Sequence, residues 1–218
     1  MSAAARARGC SECHDEGMLH LRSVRPGDET ALSRICLLTA DHGGDATGLF
    51  SDDDIWGAVF VLPYAERHPE FAFVVADEAE RPVGYVVAAP DTEAFEEWFG
   101  THWWPRFAAR WPRPAPDDDS PQARTLRYAY ARGAGSEPLA VSFPAHLHID
   151  LLPAAQGQGW GRRLVQRLSA ELRDAGVTGL HLVASADNTG ALAFYDRLGL
   201  DRLASGPGAQ AFGTRLTT

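Results

Sequence analysis

The chain has 218 residues, 45% of them hydrophobic and 22% charged, with a formal net charge of −9. That is enough chain to bury a sizeable core, and the acidic balance disfavours general nucleic-acid binding; it reads first as simple solubility and, more sharply, as suiting a cationic partner such as an amine. All 20 basic residues are arginine, which excludes Schiff-base chemistry and a P-loop lysine.

No run of about 18 apolar residues occurs, so no membrane partner is expected. No apolar signal core follows Met1, so the expected location is the cytoplasm, with the three cysteines reduced. Cys10-Ser-Glu-Cys13-His14 has the C-x-x-C-H spacing of covalent haem attachment, a chemistry that accompanies export. The surrounding Ala/Arg/Gly-rich stretch has no periodicity. Residues 1–17 are therefore read as a disordered leader without haem or metal, and residues 18–218 as one domain.

Alternation over 19–24 predicts a first strand, and Pro26-Gly27-Asp28 opens a helix over about 29–39. A glycine-rich loop covers 41–48, and Ser51-Asp52-Asp53-Asp54 precedes an apolar helix-like run at 55–65. Two β-rich runs, 71–76 and 83–88, flank Arg81-Pro82 as a hairpin. From 92 to 111 the pattern is helical and crowded with rings, including Phe95, Phe99, Trp103 and Trp104. A polar, proline-rich loop at 112–121 leads to a helix at 122–131. Residues 145–152 alternate, with Leu147, Ile149 and Leu151 on one side and His146, His148 and Asp150 on the other. A helix over 162–175 carries the stripe Leu164, Val165, Leu168 and Leu172 and ends at Gly176. A strand at 179–184, a helix at 190–198 and one or two strands in the tail complete a mixed α/β (α+β) pattern around one sheet.

Between a strand and the longest helix lies Leu151-Leu152-Pro153-Ala154-Ala155-Gln156-Gly157-Gln158-Gly159-Trp160-Gly161-Arg162. Closely spaced glycines let backbone N–H groups converge on an anion, and the helix N-terminus adds partial positive charge. The Walker A motif fails for want of lysine. The dinucleotide fingerprint fails on its G-x-G-x-x-G spacing and its early position. What remains is Q-x-x-G-x-G on Gln156, Gly159 and Gly161. Downstream, Asn188-Thr-Gly-Ala-Leu-Ala-Phe-Tyr195-Asp-Arg-Leu-Gly199-Leu follows N-x-x-A-x-x-F-Y-x-x-x-G-F, with Leu200 in the final aromatic place.

In these two segments, and over residues 144–203, the chain resembles the GNAT superfamily of N-acetyltransferases. Gly84-Tyr-Val-Val-Ala-Ala-Pro-Asp91-Thr-Glu-Ala-Phe95 and the Trp103-Trp104-Pro105 cluster add a narrower resemblance, to the acetyltransferase-like domain of O-GlcNAc hydrolases and its free-standing bacterial relatives. Some of those domains have lost the cofactor cradle; here Gln156, Gly159 and Gly161 are intact. The resemblance implies a GNAT-like fold: a central mixed, mostly antiparallel sheet flanked by helices, with a splayed central strand pair. It also implies acetyl-CoA as cofactor. Backbone at Leu151 and Leu152 would pair with the pantetheine arm, residues 156–162 would hold the pyrophosphate, Asn188 would bond the arm, and Tyr195 would sit near the thioester sulfur as general acid.

An amine acceptor also needs a base. Asp150 is the leading candidate, because a carboxylate near the end of a buried strand is costly unless used. Asp187, at the end of the next strand, is the second. Asp91, His148, Trp103 and Trp104 are candidates for the acceptor pocket, with the tryptophans equally readable as core. The expected reaction is direct attack of an amine on bound acetyl-CoA, by a monomer or homodimer. The competing reading is an acyl-CoA-binding module used in sensing or protein interaction.

Overall fold

Strands β2 (Ala72–Ala76) and β3 (Pro82–Ala89) are buried along almost their whole length, so their side chains alternate between two cores. Val74, Tyr85, Val87 and Ala89 enter one core; Phe73, Val75, Val86 and Ala88 enter the other. The computed structural model describes residues 18–216; Cys10, Cys13 and His14, in the expected leader, lie outside them. Around β2 and β3 the sheet is completed by β1 (His20–Ser23), β4 (Ala145–Leu151), β5 (Gly179–Ser185), β6 (Asp201–Leu203) and β7 (Ala209–Arg215), in the order β1-β2-β3-β4-β5-β7-β6. Every neighbouring pair is antiparallel except β4 with β5. The sheet is thus mixed and mostly antiparallel, as expected.

Five helices contribute to the first core: α1 (Glu29–Leu37), α2 (Asp54–Phe60), α3 (Leu62–Arg67), α4 (Thr92–Trp98) and α5 (Pro121–Ala131). The second core lies under α6 (Trp160–Asp174) and α7 (Thr189–Leu198). The single helix expected over 55–65 is broken at Val61, where φ is −135°. The cause is Pro63, which has no N–H for the Val59 carbonyl. The break leaves two carbonyls open to side chains: Ala58 O accepts from Trp103 Nε1 at 2.8 Å and Val59 O from Arg132 Nη1 at 3.0 Å.

The helix expected over 92–111 also divides. After α4 come a π-helical turn, Phe99–Trp103, and a 3₁₀ turn, Trp104–Phe107. Gly100 lies in the widened turn because a Cβ there would stand 2.7 Å from the Arg132 carbonyl oxygen. Pro105 prevents a return to regular helix.

Candidate active site

β4 pairs with β3 along its length but with β5 only at Ala145↔Leu180 and His146↔His181. Beyond those two pairs a seam separates the strands, the expected splay. The alternation of strand backbone decides what faces it. Leu152 N donates to Val83 O at 2.9 Å, so Leu152 turns toward β3. Ile149 and Leu151 present their backbone groups to the seam instead. This corrects the expectation for Leu152, whose backbone is taken up by β3; the backbone groups that face the seam are those of Ile149 and Leu151.

At the mouth of the seam the glycine turn behaves as a set of special positions. Gly157 and Gly159 have φ of +73° and +82°, which glycine adopts without strain. Gly161 has another reason: a Cβ there would lie 2.9 Å from the Phe194 ring of α7. Among the described residues, no backbone N–H from 157 to 162 donates to a protein acceptor. The first turn of α6 therefore offers a row of open donors. Gln156 braces the turn, its Nε2 donating to Leu151 O at 2.8 Å, and Arg162 Nη2 reaches Arg197 O at 2.7 Å. These residues, Trp160 and Asn188 border a hollow of about 600 Å³.

That hollow adjoins a second, of about 310 Å³, and both are bordered by Asp150 and Tyr195. Tyr85, fully buried behind Asp150, donates its hydroxyl proton to Asp150 Oδ2. Burial pushes the Asp150 carboxyl up to about 6, with the hydrogen bond from Tyr85 pulling it partly back. Burial, reinforced by the Asp150 charge, raises the Tyr195 phenol well above its ordinary value. Tyr195 thus holds its proton more firmly than a free tyrosine.

The middle hollow opens in turn into an outer cavity of about 550 Å³, past Phe60, His148, Leu182 and Val183. Its floor is a buried ion pair. Arg132 Nε and Nη2 each lie 2.7 Å from a Glu96 oxygen, and Nη2 also donates to Tyr64 Oη at 3.0 Å. The Arg132 guanidinium stacks 3.8 Å from the centre of the Phe99 ring. Tyr64 bridges Nε2 of His146 at 2.7 Å and Nε2 of His148 at 3.1 Å. Burial, with help from Arg132, depresses His148 to about 3, so it is neutral.

Residues 45–200 match the acetyltransferase (GNAT) family. The chain belongs to this family and is an acyltransferase. The crystal structure of SsHAT superimposes with a TM-score of 0.87 at 36% identity, covering 92% of this chain and 99% of that one. The yncA protein of Salmonella typhimurium, solved with its cofactor acetyl-CoA, shares the fold at a TM-score of 0.53 and 16% identity, over 92% of this chain and 95% of that one. A 54-residue stretch is 46% identical to mycothiol acetyltransferase of Rhodococcus erythropolis (strain PR4 / NBRC 100887) and spans 25% of this chain but 18% of that protein. No helix among the described residues is long and apolar enough to cross a membrane.

Within this GNAT chain several expected site residues are placed elsewhere. Trp103 and Trp104 are 3% and 2% exposed and sit in the first core, packed with Phe107 and Trp111. Their surfaces are covered by protein, so they wall no acceptor pocket. Asp91 is the N-cap of α4, accepting from Ala94 N at 3.1 Å, and borders none of the three hollows. Asp187 is exposed and also outside them; the cap of α7 is Asn188, whose Oδ1 accepts from Ala191 N at 3.0 Å. Gln158 turns back to Ala154 O at 2.8 Å, bracing the turn without bordering the first hollow. Among the residues around these hollows that sequence reasoning missed are Tyr64, Tyr85, Glu96, Arg132, Ile149 and His181. The one signal for Glu96 is a carboxylate set on the buried stripe of Thr92, Phe95 and Phe99.

Proposed function

We propose that this enzyme is an acetyl-CoA-dependent N-acetyltransferase in which an amine attacks the acetyl thioester directly. The observation that carries this reading is the row of open amides at 157–162, set at the mouth of a seam that leads to Asp150 and Tyr195. Open N–H groups at a helix N-terminus suit a diphosphate. Gln156, Gly157, Gly159, Gly161 and Arg162 would hold it, with Trp160 beside them. The outward backbone of Ile149 and Leu151 and the Asn188 amide would hold the extended arm. Acetyl-CoA, when bound, supplies the activated acetyl group.

The remaining chemistry belongs to the middle hollow. Asp150, ionised above about pH 6, attracts the acceptor ammonium and takes its proton at a carboxylate oxygen. A buried carboxyl with a raised pKa is a stronger base than an exposed one. The Tyr195 hydroxyl has no protein hydrogen-bond partner among the described residues. Its retained proton makes it a hydrogen-bond donor to negative charge developing beside it, more than a full acid.

The test is release of free thiol from acetyl-CoA with a panel of amines. The expected acid limb of kcat/KM rises with pH through about 6, because the Asp150 carboxylate is the active form. Asp150→Asn is expected to lower kcat/KM by about 10²–10⁴-fold and to leave calorimetric acetyl-CoA binding unchanged. Tight cofactor binding with no turnover on any amine would refute the reading.

A further inference from the structure

The wall of the outer cavity has its protons placed by what each partner can do. The Pro144 carbonyl only accepts, so Thr92 gives it the single hydroxyl proton, at 2.7 Å. Thr92 Oγ1 then accepts from His146 Nδ1 at 2.8 Å, which leaves His146 Nε2 as an acceptor. Tyr64 gives its own proton to that nitrogen at 2.7 Å. The Tyr64 oxygen must therefore accept from His148 Nε2 at 3.1 Å, alongside Arg132 Nη2. His148 carries its proton on Nε2, and its Nδ1 is a bare acceptor.

His181 arrives at the same condition by another route. Its Nδ1 donates to Phe143 O at 2.7 Å, leaving Nε2 bare. Burial keeps all three imidazoles neutral. Among the described residues neither bare nitrogen has a close protein partner, and both rings border the cavity. Glu137 adds a further acceptor to the wall. The charge offered to an anion is mixed. Arg132 is closed on Glu96, Val59 O and Tyr64. Arg124 keeps its charge at the exposed rim, where the Glu137 carboxylate borders the same cavity.

We propose that the outer cavity binds the acceptor and selects a small primary amine whose body carries hydroxyl or other hydrogen-bond donors and no carboxylate, held by His148 Nδ1 and His181 Nε2. The proposal rests on the acetyl-transfer reading and names its substrate class. Two bare lone pairs in a low-dielectric wall stay costly until donors meet them. A carboxylate brings only more lone pairs, together with a charge that would lose its water beside the Glu137 carboxylate and an Arg132 already paired with Glu96. The Phe60 and Tyr128 rings, stacked 6.1 Å apart at the rim, offer apolar faces to the carbon skeleton.

The experiment compares matched pairs in the thiol-release assay: serinol against serine, and ethanolamine against glycine. Each pair replaces a carboxylate by a hydroxymethyl group. We expect the alcohol to be preferred by about 10–100-fold in kcat/KM. His181→Leu should shrink that preference while calorimetric acetyl-CoA binding persists; the wild-type comparison is decisive even if this variant folds poorly. Equal or better turnover of serine and glycine overturns this inference and leaves the transfer reaction standing. No turnover with any amine, with acetyl-CoA bound, overturns both.

Discussion

The core under α6 and α7 is largely aliphatic at its centre, with Leu164, Leu168 and Leu172 lying on Val75, Val86 and Ala88 and rings such as Phe73 and Phe212 around them. The core under α1–α5 is built of rings around one buried ion pair, with Tyr64, Phe95, Phe99, Trp103 and Trp104 about Arg132 and Glu96. The first side carries its chemistry on backbone: two positive-φ glycines and a row of open amides within seven residues. The second carries it on side chains drawn from positions 64, 92, 96, 132 and 146. Backbone sites can be written locally, whereas side-chain sites require the whole fold to be right first.

Perturbation should separate the two sides, and the largest effect is expected on the ring side. Arg132→Met leaves the Glu96 carboxylate buried without its partner, a cost of about 3–5 kcal/mol in thermal or urea unfolding. Removing both charges, as Arg132→Met with Glu96→Leu, should recover most of that stability. If the single variant proves neutral, the ion pair is not what organises this core. On the aliphatic side, Gly161→Ala drives a Cβ to 2.9 Å from Phe194. It should cost about 1–3 kcal/mol and weaken acetyl-CoA binding by displacing the start of α6. Retained affinity would show that α6 does not need its close approach to α7. The smallest effect is expected from Trp103→Phe, which deletes the bond to Ala58 O. It should lower stability by about 1 kcal/mol and leave KM for the amine unchanged, because this ring is core. A raised KM would return Trp103 to the acceptor site.

The same contrast explains what could be read from the chain before its structure. The glycine turn, the alternation leading to Asp150 and the α7 segment with Asn188 and Tyr195 are local patterns, and their elements form within two residues of expectation. Single-residue offsets mark the limit of that reading. Leu152 is one position past the residue that faces the seam, and strand pleating reverses the backbone at each step. Asp187 and Asn188 are both capping types, and only geometry shows which accepts from Ala191. Pro63 carried the signal for the broken helix, since proline in a helical run removes a donor. Nothing local distinguishes tryptophans that line a pocket from tryptophans that fill a core. The Arg132–Glu96 pair joins residues 36 positions apart, and the Arg132 backbone lies against Gly100 of a π-helical turn that no simple periodicity anticipates.

The seam between β4 and β5 has one more consequence. An unpaired strand edge on a protein surface is a template for aggregation. Here the two open edges face each other within a single sheet, joined at one end by Ala145↔Leu180 and His146↔His181, so a foreign sheet edge cannot lie along either one. A narrow, extended guest, such as the arm of the proposed cofactor, would complete the ladder where the edge of a neighbouring sheet cannot enter.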